Sequence, residues 1–313
     1  MLDCAIIGGG PAGLTAGLYA TRGGLKNVAL FEMGVPGGQI TKSSEIENYP
    51  GYFDSTKTGL DFMDTWQKQC FHFGLKHEMK KVESIQKIEG HFTITLEGGE
   101  TVEAMTAIVC TGAVPRRAGF KGEDEFYGRG VSTCATCDGF FYKDKPVTVL
   151  GGGDTALEEA FFLSNICSDV YVVHRRDEFR AAPPTLDRAM RKENIHLITD
   201  SVIEEAVGSA MGLSGVDIKN IKTDKITHMD NTGLFVFVGQ DVKNDVLKDE
   251  NGDFICKMSD LGQVVVDLNM NTSVPGLFVA GDLRINAPKQ VVSAAGDGSI
   301  AALQVISYIQ EQQ

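Results

Sequence analysis

The chain has 313 residues, 42% of them hydrophobic and 23% charged, the balance of a soluble globular protein long enough for about two cores. With 29 Lys+Arg against 42 Asp+Glu its formal net charge is -13, which opposes sequence-independent attraction to phosphate backbones or anionic lipid and argues against nucleic acid and membranes as partners. The opening "MLDCAIIGGG" carries no cationic leader, and no run of about 18 apolar residues follows, so a cytoplasmic protein is expected.

In chain order, a buried strand is predicted over residues 2–7. It runs into Gly8-Gly9-Gly10-Pro11-Ala12-Gly13 and then a helical pattern through Leu14, Leu18 and Tyr19. This is G-x-G-x-x-G between strand and helix, where glycines let the backbone approach a pyrophosphate at a helix N-terminus. A second strand, "NVALFE", is predicted at residues 27–32. The stretches "CTGAVPRR" (110–117) and "GQDVKNDV" (239–246) are polar or Pro-containing and read as joints flanking an inner unit. Inside it come Cys134-Ala-Thr-Cys137-Asp138-Gly139, an apolar strand at 146–150, and a second fingerprint, Gly151-Gly152-Gly153-Asp154-Thr155-Ala156. A helix with Leu157, Ala160, Phe161 and Ser164 follows. After "VYVVHR" (170–175), Pro183-Pro184 must interrupt or delay the next helix. Residues 233–239 and 276–282 resemble each other, each a short apolar strand reaching a glycine, and an amphipathic helix follows within "KQVVSAAGDGSIAALQVISYI". The dipole at its N-terminus would favour electron density on a bound group. Asp282 reads either as part of that site or as a capping acid.

One fingerprint alone is a common strand-helix turn, but two copies in context point to two dinucleotide sites and an α/β fold of two Rossmann-like, three-layer domains. The copies are offset by 143 residues, Gly8 to Gly151, and that offset lays "NVALFE" on "VYVVHR", with Glu32 opposite Arg175. A carboxylate there accepts hydrogen bonds from free ribose hydroxyls and repels a 2′-phosphate. Arg175, Arg176 and Arg180 would bind that phosphate, or else form an exposed basic helix start. The first site therefore suits FAD or NAD and the second NADP.

Seven cysteines stand at 4, 70, 110, 134, 137, 167 and 256, and scattered single ones are expected to be small buried hydrophobes. Only Cys134 and Cys137 have a spacing that suggests chemistry. Zinc would need two further ligands that no second C-x-x-C supplies, a structural disulfide would be reduced in the cytoplasm, and a working dithiol is the leading reading. Asp138 is then either the proton carrier for the pair or an N-cap acid.

The set Gly8–Gly13, Gly37-Gly38-Gln39, Glu47-Asn48-Tyr49-Pro50-Gly51, CATCDG, Gly151–Ala156, His174-Arg-Arg176 and Ala280-Gly-Asp282 resembles the low-molecular-weight, bacterial-type thioredoxin reductases, in order and over nearly the whole chain. The placement of CATCDG just before the second fingerprint is its most specific element. The resemblance implies an FAD domain formed by 1–114 and 245–313, with an NADPH domain, 115–244, inserted. It implies flavin contacts at Gly8, Gly10, Pro11, Ala12 and Gly13, at Glu32, Gly38, Gln39 and Asn48, at Val82 and Gly112, and at Gly281, Asp282, Lys289, Gln290 and Val291. NADPH contacts fall on Gly151, Gly153, Asp154 and Thr155, and on His174 with the three arginines. Cys134 is implied to attack the partner and Cys137 to face the flavin, in a homodimeric NADPH-dependent thioredoxin-disulfide reductase. The same chemistry could instead serve a glutaredoxin-like or peroxidase-linked carrier, or the dithiol could belong to a redox sensor, although a sensor has no need of a second cofactor's site. Lys289-Gln290 departs from the family's usual Arg-Gln, and "GQDVKN" from its usual Gly-His-x-Pro-Asn.

Overall fold

The structure is a computed structural model that describes all residues except 44, 45, 53, 55 and 313. The chain divides into two compact units, Met1–Val114 with Val242–Gln313, and Pro115–Asp241. The second division thus falls at 241/242, against the 244/245 expected from sequence.

The first unit opens with β1 (Leu2–Ile7), α1 (Pro11–Arg22), β2 (Val28–Phe31), α2 (Gly59–His72), β3 (Lys76–Glu78), β4 (Val82–Ile88), β5 (His91–Leu96) and β6 (Thr101–Val109). The crossing strand β7 (Ala113–Pro115) leads into β8 (Val131–Ser132), α3 (Ala135–Asp138), β9 (Val147–Leu150), α4 (Asp154–Leu163), β10 (Val170–Val173) and α5 (Pro183–Met190). The second unit continues with β11 (Ile195–Ile198), β12 (Ser201–Ser209), β13 (Gly212–Asn220), β14 (Ile226–Asp230) and β15 (Gly233–Val236). The chain returns along β16 (Gln240–Val242), which pairs with β7, to β17 (Leu277–Val279) and α6 (Val291–Glu311).

Among the described residues the first unit holds a seven-stranded sheet in the order β3-β2-β1-β6-β5-β4, with β17 also on β6. On β6, antiparallel β5 pairs with the start alone, residues 101–104. Parallel β17 takes its place at residues 107–109. β1 is apolar on both faces, as a central parallel strand must be. Cys4 and Ile6 join α1 and α6 in one core, and Ala5 and Ile7 join Ile85, Phe92 and Leu283 in the other. The second unit repeats this plan with a parallel sheet, β11-β10-β9-β15-β8. Helices α4 and α5 cover one face, and the antiparallel β12-β13-β14 covers the other through Ile203, Val216 and Ile218.

Local chemistry explains the helix starts. Pro11 sits at the first position of α1, where its missing N–H is not needed, and Thr58 with Asp61 forms a capping box on α2. Pro183 and Pro184 occupy the first turn of α5, so they open this helix rather than break it.

The paired strands correct one sequence expectation. Ile7 aligns with Phe31 and Leu150 with Val173, and the amides of Gly8 and Gly151 donate to the carbonyls of those same two partners. Phe31 therefore corresponds to Val173, an offset of 142 where the glycine loops have 143. The position after the strand is Glu32 in the first unit and His174, not Arg175, in the second. The connection between the two strands is one residue shorter in the second copy, and no ungapped overlay can absorb that. The look-alike segments at 233–239 and 276–282 are not equivalent either, since β15 borders the fingerprint strand β9 whereas β17 borders β6.

Helices α1 and α6 approach through Gly298, where an added Cβ would lie 2.1 Å from the Ala12 carbonyl oxygen. Gly298→Ala should therefore cost about 1–2 kcal/mol net, since overpacking against backbone outweighs the roughly 1 kcal/mol gained in helix propensity. Urea unfolding checks this, and an unchanged or higher midpoint would show that the two helices separate without cost.

Candidate functional site: two nucleotide cradles and a disulfide

The first glycine loop is shaped by close backbone approach. Gly8 has φ +104°, and a Cβ there would stand 2.5 Å from the Cys110 oxygen, while one at Gly13 would stand 1.9 Å from the Gly8 oxygen. Gly10 meets nothing nearer than the Gly38 Cα at 3.9 Å, so the backbone at the N-cap of α1 is open to a ligand. Glu32 is anchored beside this loop: Oε2 accepts the Gly9 amide at 2.9 Å and Oε1 that of Gly34 at 3.2 Å. Gly37 donates to the Gly9 oxygen at 2.7 Å, which brings Gly38 and Gln39 alongside, and the Gln39 amide donates to the Ala113 oxygen. Asn48 reaches across 242 positions to donate to Gln290, the N-cap of α6, at 3.2 Å. A Cβ on Gly281 would lie 3.1 Å from the Cβ of Ala12, so the Gly281-Asp282 turn stands beside the start of α1. Val82 shares a core with Ile7 and Phe31. It begins the edge strand β4 opposite Leu96 and its side chain is in the core, which leaves only backbone to offer. Gly112 is a left-handed turn at φ +71° with open space around it.

Two residues here escaped the sequence analysis. Asp297, on the buried side of α6, accepts the Gly281 amide at 3.1 Å and both forks of Arg284, at 2.6 and 3.0 Å. The signal was an acid among the small residues "SAAGDGSIAA", where a charge must be paired to be buried. Asp282 lies near this pair. Burial pushes its carboxyl from 3.8 to about 6, Lys289 and Arg284 pull it down, and Asp297 adds to the rise.

In the second loop, Gly151 has φ +156° and a Cβ there would stand 2.5 Å from the Phe237 oxygen, while Gly153 is open. His174 lies on Gly152, whose added Cβ would meet the ring at 2.2 Å. The ring is 5% exposed and its Nε2 has no partner among the described residues. Burial first, and Arg180, Arg176 and Arg175 after it, hold its pKa below the usual range against an opposing hydrogen bond to the Glu178 backbone. The position that carries a carboxylate in the first unit thus carries a neutral ring in the second. The arginine loop is tied to the glycine turn at its far end: Arg180 N–H donates to the Gly152 oxygen at 2.7 Å and Ala182 N–H to Asp154 Oδ1 at 2.8 Å. Arg175, Arg176 and Arg180 are exposed, without a carboxylate partner among the described residues, and Thr155 is exposed in the first turn of α4.

Cys134 and Cys137 form a disulfide across α3, with Cα atoms 5.3 Å apart. Cys134 is the N-cap of that short helix; Asp138 is its last residue and also the N-cap of the 3-10 turn Gly139–Tyr142, where its side chain makes no capping hydrogen bond among the described residues. Its carboxyl is raised by burial and lowered by a hydrogen bond from Ser132 Oγ at 2.6 Å. Ser132 was not marked out by sequence, because a serine beside a dithiol has no spacing to distinguish it. The other five cysteines are all buried. Desolvation pushes the Cys4 and Cys70 thiols to about 12 and those of Cys167 and Cys256 to about 11, and raises Cys110 as well, leaving them inert.

Residues 2–298 match the family model described as pyridine nucleotide-disulphide oxidoreductase. The chain is 59% identical over 310 residues to a thioredoxin reductase of Helicobacter pylori, covering 99% of each, and 40% identical to one of Peptoclostridium acidaminophilum, covering 98% of this chain and 97% of the other. The crystal structure of thioredoxin reductase from Streptococcus pyogenes superposes with a TM-score of 0.92 at 38% identity, over 99% of both chains. The chain belongs to the pyridine nucleotide-disulphide oxidoreductases. Within them it is a flavoprotein disulfide reductase of the bacterial thioredoxin reductase type, using a flavin and a pyridine nucleotide. No helix among the described residues is long and apolar enough to cross a membrane.

The raised carboxyl of Asp282 has a consequence for stability. An acid whose folded pKa lies above its unfolded value contributes fully below the unfolded 3.8, and loses that contribution as pH rises to about 6. Above that pH the buried charge costs up to about 3 kcal/mol. Asp282→Asn, measured without cofactor, should match the parent below about pH 4 and be more stable than it at pH 7. Thermal melts across this range check the sign, and parallel curves would remove the argument.

Proposed function

We propose that the chain oxidises NADPH and, through FAD and the Cys134–Cys137 pair, reduces the disulfide of thioredoxin. The observation that carries this is a disulfide in the same compact unit as a glycine loop flanked by three exposed arginines that have no carboxylate partner among the described residues. The cradles suit their cofactors. Gly10 and Gly153 leave backbone open where a side chain would block a pyrophosphate, and Glu32 and the arginines present opposite charge to the two adenosine riboses. FAD would lie against Gly8–Gly13, Glu32, Gln39, Asn48, Asp282 and Gln290. NADPH would lie against Gly151–Thr155, with its 2′-phosphate on Arg175, Arg176 and Arg180. Bound there, the flavin supplies a two-electron relay between nicotinamide and disulfide.

The chain's own residues do the rest. Reduction of the Cys134–Cys137 bond leaves one sulfur as a thiolate and requires a proton for the other. Asp138, held toward its protonated form by burial and next to Cys137 in α3, would give it. The Cys134 thiolate then attacks the partner's disulfide. Cys137 resolves the mixed disulfide by closing on Cys134, and the proton returns to Asp138. The resemblance supports a homodimer working in the cytoplasm.

Reversing Arg175 and Arg176 to Glu should weaken NADPH by about a hundredfold while leaving NADH nearly unchanged, because only the 2′-phosphate loses charge-assisted partners. Equal losses in titrations of both nucleotides would refute the assignment. Cys134→Ser and Cys137→Ser should each still bleach the flavin on mixing with NADPH yet lose thioredoxin reduction by at least a thousandfold, on the order expected when a group essential to one step is removed. Near-normal thioredoxin turnover in either variant would make the disulfide structural.

A further inference from the structure

One group beside the disulfide has no part in the chemistry so far, the hydroxyl of Ser132. It is buried, 5% exposed, at the end of β8, an edge strand of the second sheet. Its Oγ lies 2.6 Å from Asp138 Oδ2, 3.1 Å from the Cys134 amide nitrogen and 3.4 Å from the Cys134 carbonyl oxygen. A hydroxyl has one hydrogen and two lone pairs. When Asp138 is ionised, the hydrogen points to Oδ2 and a lone pair accepts the Cys134 N–H. When Asp138 is protonated, the 2.6 Å bond can reverse, with the carboxylic acid donating to Oγ and the freed hydroxyl hydrogen turning to the Cys134 carbonyl. That carbonyl also accepts the Asp138 amide at 3.1 Å, and a carbonyl oxygen carries two lone pairs. Every donor then has an acceptor in both states. A buried carboxyl that is satisfied in only one state would be held there, because the other leaves an unpaired polar group.

We propose that Ser132 is a positioning residue for Asp138: its hydroxyl turns between the carboxylate and the Cys134 carbonyl, so that Asp138 can give a proton to a cysteine sulfur and take it back. The inference rests on Asp138 being the proton carrier. Opening the disulfide consumes the two electrons of an NADPH hydride, whose proton passes to solvent, leaves one thiolate and one thiol, and turns Asp138 into a carboxylate; when the disulfide re-forms at the expense of the partner's, the thiol proton returns to Asp138 and the partner's two leaving sulfurs take their protons from solvent. The surroundings suit the role. Burial raises Asp138 and the Ser132 hydroxyl lowers it. From the turn that follows, Tyr142 faces it as a neutral phenol, pushed to about 12 by burial and then by Asp138 itself. Once the disulfide is open, the sulfurs of Cys134 and Cys137 are the other ionisable groups of α3 and its N-cap.

The test uses the holoenzyme with S132A, S132T and S132V, the last two alike in bulk and differing in the hydroxyl. The carbonyl band of protonated Asp138, assigned by its loss in D138N, is titrated by infrared difference spectroscopy. The pH profile of dithiol formation after mixing with NADPH is recorded beside it. In S132A burial acts unopposed, so the ratio of ionised to protonated Asp138 at a given pH should fall about tenfold and the profile should move to higher pH. S132V should follow S132A, and S132T the parent. If S132A and S132V slow the reaction by one factor at every pH, with the carboxyl titration unmoved, Ser132 is a packing residue and the inference is overturned. D138N separates the two claims. A parent-like profile in D138N removes Asp138 as proton carrier, whereas a flattened one beside an unmoved titration in S132A removes only Ser132.

Discussion

Backbone against backbone, with no room for a methyl group, is the constraint on which the rest of this molecule depends. At Gly8 and Gly151 the chain turns from strand to helix with φ positive, and any Cβ would fall 2.5 Å from a carbonyl oxygen of a neighbouring segment. That contact sets the start of α1 and α4 directly above the carboxyl ends of β1 and β9, where helix amides and open glycine backbone face a ligand. Everything specific is arranged around these turns: Glu32 takes the Gly9 amide, Gly37 the Gly9 carbonyl, and Arg180 the Gly152 carbonyl. The same closeness recurs where Gly298 lets α6 approach α1 and so brings Gln290 and the Gly281-Asp282 turn to the first cradle.

The cradles share geometry and differ in charge. A carboxylate held beside the first loop suits a cofactor with free ribose hydroxyls, and a neutral buried imidazole followed by arginines suits one carrying a phosphate. His174 keeps the space over Gly152 filled without placing a negative charge next to Arg175, Arg176 and Arg180. The arginines remain exposed and without acidic partners among the described residues, so their charge is available to a ligand rather than spent within the fold.

Two half-buried acids, Asp138 and Asp282, are each raised by desolvation. An ionisable group whose pKa is raised by burial is a cost to stability and a means of moving protons or orienting a polarisable ring. The five buried cysteines show the opposite use of the same physics. Desolvation raises their thiols far enough to silence them, and the exchange chemistry is confined to Cys134 and Cys137.

Much of this was legible in sequence, because local patterns carry local structure. The strand at residues 2–7, both glycine loops, the dithiol and the arginines stand in the chain as they stand in space, since each needs only its neighbours to declare itself. The family resemblance added Asn48 and Gln290, which the structure joins by a hydrogen bond. What depended on contacts between distant segments was not legible. Pro183 and Pro184 read as an interruption or a delay of the next helix, and they open it, since in its first turn they lose no hydrogen bond. The one-residue slip that puts His174 opposite Glu32 is set by strand pairing, which no offset along the chain records. Ser132, Arg284 and Asp297 acquire their roles only when burial forces each polar group to find a partner. Sequence determined which chemical groups the protein owns and the local turns that present them; the tertiary structure decided which meet, because desolvation and pairing act through space.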